Sequence, residues 1–305
     1  MTLTAGAAAV FGRPYATIRR SNLVLSTDLT LPGRPNPRRS KRLARSFPAL
    51  AVTFAFVLLT AILPTNAYGF DQEKTKYTAE QIVESVILVY GSRPGLEHIR
   101  RNGVERGRVI RTMPEGATEE ANYERRFVRG EDLDKDKIRL DQRLPTMEYS
   151  LVYGGGKLWG LINGTAFTPR EDAAASFMSQ HHHSLDSLLR YKESGYTITL
   201  IGQEQQKGLD LYVLGLEDKE KRKTRYYISS KSLRVLWLEY EESPTRGATP
   251  VKYTKKFMDY RVVQQTLVPY RVVLLEDGRQ SQETLLLTVT YGVKVDDAIF
   301  KNPEA

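Results

Sequence analysis

The sequence predicts an α+β protein, a single antiparallel sheet carrying a few helices behind an export leader. Three observations predict it. Residues 1–69 run from a basic cluster through an apolar stretch to small residues. A capped segment of helical period follows at 78–91. From about residue 98 the apolar period becomes two and, with one helical interruption, stays two to the C-terminus.

The leader comes first. Of the 45 Lys/Arg and 36 Asp/Glu, nine bases and one acid (Asp28) lie in residues 1–67, which leaves 36 and 35 in the remainder. The charge of +9 is therefore a property of the N-terminus. The basic-patch argument for nucleic acid fails for the rest of the chain. Arg38, Arg39, Lys41, Arg42 and Arg45 precede an uncharged run, Ser46 to Phe70, with Phe54, Phe56, Val57, Leu58 and Leu59 at its centre. Small residues, Thr65-Asn66-Ala67, close it. This order makes a secretory signal, with cleavage expected near 67–69 and an uncleaved inner-membrane anchor as the alternative. The domains expected are thus a leader with a disordered basic segment, 1–69, and one folded domain, 70–305. The chain has no cysteine. Disulfides, a thioether lipid anchor, thiol catalysis and Cys-zinc sites are excluded.

The first helix of the folded part is announced by Thr78-Ala79-Glu80-Gln81, a capping box, with Tyr77 and Ile82 placed for a hydrophobic staple. Ile82, Val83, Val86, Ile87 and Tyr90 recur on one helical face, and Gly91 ends the run. Strands follow. Ala121 to Gly130 puts Tyr123, Arg125 and Phe127 on one face; Ile138 and Leu140 alternate with charges; Met147, Tyr149, Leu151 and Tyr153 alternate up to Gly154-Gly155-Gly156. Those glycines read as a hairpin turn into Lys157–Asn163, since a phosphate loop needs a Lys-Ser/Thr that is absent. Thr168-Pro169-Arg170-Glu171 then caps a second helix over 170–192. Strands resume at Tyr196–Leu200, Leu209–Val213, Leu233–Trp237, Val251–Val263, Leu267–Leu275 and Leu285–Val295. The last carries Leu285, Leu287, Val289, Tyr291, Val293 and Val295 on one face. The pattern amounts to about ten strands and two to three helices.

Few groups suggest chemistry. His181-His182-His183 is the only histidine cluster. Neighbours on a helix point about 100° apart, so three in a row do not converge on a metal, and a solvated helix face is expected. Asp132, Asp134 and Asp136 lack the Gly and terminal Glu of a calcium loop. Ser176, Ser179, Ser184 and Ser187 lack a nucleophile elbow. No catalytic residue, metal site or cofactor is assigned, and the expectation is a protein that is not an enzyme.

The succession Gly202–Leu216 (GQEQQKGLDLYVLGL), Leu233–Glu239 (LRVLWLE), Tyr260–Tyr270 (YRVVQQTLVPY) and Val293–Phe300 before Pro303 resembles the outer-membrane lipoprotein-sorting family, the periplasmic lipoprotein carriers and their LolA-like relatives. The resemblance covers about residues 77–305. Gln264-Gln265 stands where such proteins often have Asp-Gly. The resemblance implies an incomplete antiparallel β-barrel, a half-barrel, with helices covering its concave face. It implies an apolar cavity that receives lipoprotein acyl chains or lipid, a periplasmic location, an inner-membrane loading complex and an outer-membrane acceptor. An envelope-stress regulatory or structural interaction module of the same fold, with no transported ligand, is the alternative. The residues expected at the cavity are Tyr123, Phe127, Leu151, Trp159, Leu211, Val213, Val235 and Trp237. Alternation puts Trp237 with Leu233 and Val235, pointing to the concave side beneath the helices.

Overall fold

The computed structural model describes residues 76–302, except Pro114 and 244–246. The leader and its cleavage site lie outside the described residues.

Among the described residues, thirteen strands form one antiparallel sheet that does not close. Two meanders build it. The first comprises β1 (Asn102–Thr112), β2 (Thr118–Val128), β3 (Lys137–Arg143), β4 (Glu148–Gly154), β5 (Lys157–Ile162) and β6 (Thr165–Phe167). The second comprises β7 (Thr197–Gln206), β8 (Leu209–Glu217), β9 (Lys223–Ser229), β10 (Val235–Glu242), β11 (Val251–Val263), β12 (Thr266–Glu276) and β13 (Arg279–Tyr291). The order β6-β5-β4-β3-β2-β1-β13-β12-β11-β10-β9-β8-β7 joins them only at β1–β13. Gly107 sits on that seam. A Cβ there would come within 2.2 Å of the Leu285 carbonyl oxygen, so only glycine permits the approach.

Three strands carry no sequence expectation: β1, β6 and β9. Charges such as Glu105, Arg106 and Arg108 interrupt the alternation of β1, and β6 is only three residues long. The expected strand Leu285–Val295 starts earlier, at Arg279, and stops at Tyr291 before Gly292 in the left-handed region.

α1 (Ala79–Tyr90) forms as expected, with the Thr78–Gln81 capping box in place and Ile82, Val83, Val86, Ile87 and Tyr90 buried. Tyr77 meets Tyr212 edge-on, with centroids 6.5 Å apart. Gly91, at φ 132°, turns the chain sharply into α2 (Arg93–Ile99), a short helix capped by Ser92 that the sequence reading does not contain. The single helix expected over 170–192 is two helices, α3 (Glu171–His182) and α4 (Leu185–Leu189). The break has a local cause: the Ser184 hydroxyl accepts from the Ser187 amide and starts a new capping box. The box expected at Thr168–Glu171 does not form, and α3 begins after Arg170 without a side-chain cap.

The helices lie against one face of the sheet, and the core has two parts. In one, α1 and α4 pack on Tyr212, Leu214, Tyr226, Ile228, Val235 and Leu238. In the other, Phe177 of α3 meets Phe127, Ile138, Leu151, Tyr153 and Val289.

Two β-bulges overturn two assignments of face. Leu236 is extra in β10, where Val235 pairs with Ile228 but Trp237 pairs with Tyr227. A bulge adds one residue and so reverses the side-chain sense beyond it. Val235, Leu238 and Tyr240 therefore face the helices, and Trp237 faces away, packed with Leu211, Val213 and Tyr227. Leu287 is extra in β13 between the pairs Arg106–Thr288 and Gly107–Leu286. Val289 and Tyr291 stay in the core, Leu286 packs against it, and Leu287 is 55% exposed.

Candidate functional site

A cavity of about 330 Å³ lies between the helix-bearing face of the sheet, on both sides of the β1–β13 seam, and α3–α4. Its floor comes from β1, β2, β3, β12 and β13, with Val109, Ile138, Leu140, Val268, Val272 and Leu286 among the lining side chains. Its roof is Phe177, Gln180 and His181 of α3, Ser184, and Leu185 and Asp186 of α4. A second lobe of about 230 Å³ shares Gln180, Ser184, Leu185, Val272, Gln282 and Thr284 with the first and adds Lys255, Phe257 and Leu274.

Register explains the floor. On β2, Tyr123, Arg125 and Phe127 alternate inward; they pair with Gln142, Leu140 and Ile138 of β3, and all of these but Phe127 line the cavity. The sequence reading put these β2 side chains on one face, and a charge on that otherwise aromatic face was the signal of a polar site.

One wall is ionic. Arg125 Nη1 donates to Glu105 at 3.0 Å, Arg129 Nη2 to Asp186 at 2.6 Å, and Arg190 Nη1 to both oxygens of Asp136 at 2.9 and 3.0 Å. Arg100 Nη2 approaches Asp186 at 3.4 Å. Burial disfavours the Asp186 anion, but Arg129, Arg100, Arg190 and Arg125 together outweigh it and hold its carboxyl far below the usual range. These pairs bridge segments 20 to 86 residues apart, so spacing in the sequence could not reveal them.

The histidines are buried, which corrects the solvated face expected for them. His181 Nε2 lies 2.9 Å from the Leu133 carbonyl oxygen. His182 lies 3.7 Å from Asp134. His183 Nδ1 is 2.7 Å from the Thr224 hydroxyl, and its ring stacks on Tyr240 at 3.9 Å. His181 and His182 thus engage the 133–134 segment and His183 engages β9. Burial lowers the pKa of His182 to about 4, with Arg222 adding to the effect, and that of His183 to about 3, with Lys255 adding to it. Lys255 Nζ donates to the carbonyls of Gln180 and His183, taking free acceptors at the end of α3. Burial brings its pKa down to about 8.

Of the eight residues expected at the cavity, Tyr123 lines it. Phe127 and Leu151 are closed core beside it, and Val235 belongs to the core under α1 and α4. Leu211, Val213 and Trp237 pack together on the opposite face. Trp159 pairs with Val152, one step out of phase with Leu151 and Tyr153, and so also faces away from the helices. The cavity residues that went unassigned are mainly polar: Arg100, Glu105, Arg111, Arg125, Gln142 and Asp186.

No family model matches the chain, and no curated protein does. Solved structures do match. A DUF1329 family protein from Desulfovibrio piger aligns with 74% of this chain and 98% of its own at 12% identity, TM-score 0.54. A LolA superfamily protein from Nitrosomonas europaea aligns with 75% and 100% at 14% identity, TM-score 0.52. A protein domain from Vibrio parahaemolyticus described as outer membrane lipoprotein-sorting aligns with 72% and 97% at 13% identity, TM-score 0.50. At these identities the likeness is one of fold.

Proposed function

From this LolA-like fold, we propose that the protein is a periplasmic binding protein for lipid or lipoprotein acyl chains, working as a carrier in outer-membrane lipoprotein sorting. The observation that carries the reading is the cavity of about 330 Å³ under α3–α4, with an apolar floor on the concave face of an unclosed sheet. An acyl chain entering it leaves water at a gain of about 0.8 kcal/mol per CH2. The roof is made of short helices rather than strands, so it can shift without breaking the ladder. Among the described residues no helix is long and apolar enough to cross a membrane. The basic-apolar leader supports export, with cleavage near 67–69. An inner-membrane loading complex and an outer-membrane acceptor complete the proposal.

The test is organic extraction of protein purified from the envelope fraction, followed by mass spectrometry. The reading expects stoichiometric lipid, or a lipidated polypeptide, bound to a chain that begins near Tyr68 or Phe70. Protein that carries no lipid and takes up none from vesicles would favour a regulatory or structural module of the same fold.

A further inference from the structure

Arg100 stands out in the ionic wall. Arg125, Arg129 and Arg190 each have a carboxylate of their own: Glu105, Asp186 and Asp136. Four guanidiniums thus face three carboxylates. Arg100 is the one left over. Among the described residues its only acceptor is the Asp186 oxygen, 3.4 Å from Nη2, and Arg129 already holds that oxygen at 2.6 Å. Arg100 Nε and Nη1 are buried and meet no acceptor among the described residues. The side chain is 8% exposed, and it lines the cavity. Its guanidinium lies 5.4 Å from the centre of the Tyr291 ring, a contact that satisfies none of its N–H groups.

Burying N–H donors of a charged group without acceptors is costly, and most native structures avoid it. A guanidinium offers a planar fork of donors matched to the two oxygens of a carboxylate or phosphate. Beside it the cavity is lined by Val109, Leu140, Val268 and Leu286. We infer that the cavity takes an anionic amphiphile, a single acyl chain bearing a carboxylate or phosphate head, and that Arg100 anchors the head while the chain runs over the floor. The inference rests on the lipid-binding reading above and narrows it from any acyl chain to an acidic one. It also explains why a cavity for greasy chains carries an ionic wall: the bound anion supplies the missing fourth acceptor.

The experiment compares palmitate, palmitoyl lysophosphatidate, methyl palmitate and inorganic phosphate on the delipidated full chain by isothermal calorimetry. At least one of the two acidic amphiphiles is expected to bind about tenfold or more tightly than the methyl ester, the scale of one charge-assisted hydrogen-bonded pair. Which one does so identifies the head group. Phosphate alone is expected to show no saturable binding; if it binds as tightly as the amphiphiles, the site is one for free anions and the inference fails. In Arg100→Gln the acid-to-ester ratio should fall towards one, and an unchanged ratio would overturn the role of Arg100. Should that variant not fold, the wild-type acid and ester comparison decides alone, supported by NMR of carboxyl-labelled palmitate. The bound carboxyl should titrate below its free value; one that titrates at or above it counts against the anchor. Equal binding of acid and ester overturns the anion subsite but keeps the lipid-binding reading. Binding of neither overturns that reading itself.

Discussion

Lys255 donates to the carbonyl oxygen of His183 at 2.9 Å, tying a central strand to the end of the helix above it. The ammonium is buried and its pKa is brought down from 10.5 to about 8. The unfolded chain therefore binds more protons than the folded one between pH 8 and 10.5, and stability rises with pH across that window.

Urea unfolding should accordingly show a gain of about 2 kcal/mol between pH 7 and 9.5. Lys255→Met should flatten this rise and lower stability at pH 9.5, because the carbonyls at the end of α3 lose their donor. The window ends where tyrosines take over: burial raises Tyr90, Tyr149 and Tyr153 to about 12, so above pH 10 ionisation of the unfolded chain works against folding. A flat profile between pH 7 and 9.5 in the wild type would contradict the burial of Lys255.

On the acid side the histidines act. His182 and His183 are held neutral, with pKa about 4 and about 3 against 6.5 when unfolded. Their stabilising effect is complete above pH 6.5 and is lost as the pH falls towards those values. Each should contribute a loss of between about 2 and 3 kcal/mol by pH 4. Between pH 6.5 and 5 few carboxylates titrate, so the slope there belongs mainly to histidine. His183→Phe, which keeps a ring to stack on Tyr240, should reduce that slope in thermal melts. An unaltered slope would mean His183 is not held neutral.

Trp237 stacks on Tyr227, with centroids 4.6 Å apart, on the face away from the helices. In a Trp159→Phe variant, emission from the remaining tryptophan should not change on titration with an acylated ligand that does bind by calorimetry. A saturable spectral change would place the ligand on that face instead.

Gly107→Ala should cost at least about 2 kcal/mol, since the added methyl meets backbone at the Leu285 carbonyl and cannot rotate away. Gly155→Ala, in an open turn where a Cβ meets nothing within 4 Å, serves as the control and should cost about 1 kcal/mol from its positive φ alone. Equal losses in chemical denaturation would show the seam to be looser than described.

What the sequence made legible follows from how local each cause is. The α1 cap and stripe are encoded within thirteen residues, Thr78 to Tyr90, and they appear as read. The half-barrel with helices on its concave face also stands. Face assignments failed at Leu236 and Leu287, where a bulge shifts the alternation without any glycine or proline to announce it. The burial of the histidines is not legible in the sequence because it depends on distant acceptors, here Leu133 and Thr224. Gln264-Gln265 is the opposite case. Both residues take positive φ, 46° and 64°, so the pair builds the hairpin that Asp-Gly would build, and the Gln264 amide clamps both the N–H and the carbonyl of Tyr291.

The single seam between β1 and β13 sets the order in which this chain is able to fold. Among the described residues every other strand pairing is with a sequence neighbour and closes quickly as a hairpin. The seam joins residue 103 to residue 291, so it waits for nearly the whole chain. Until β13 arrives, β1 presents an unpaired edge of eleven residues. A chain threaded through a membrane N-terminus first would expose that edge to solvent until its C-terminus emerged. For a chain so exported, the interval of vulnerability to aggregation would be set by the rate of translocation, and Gly107 marks where the two meanders join.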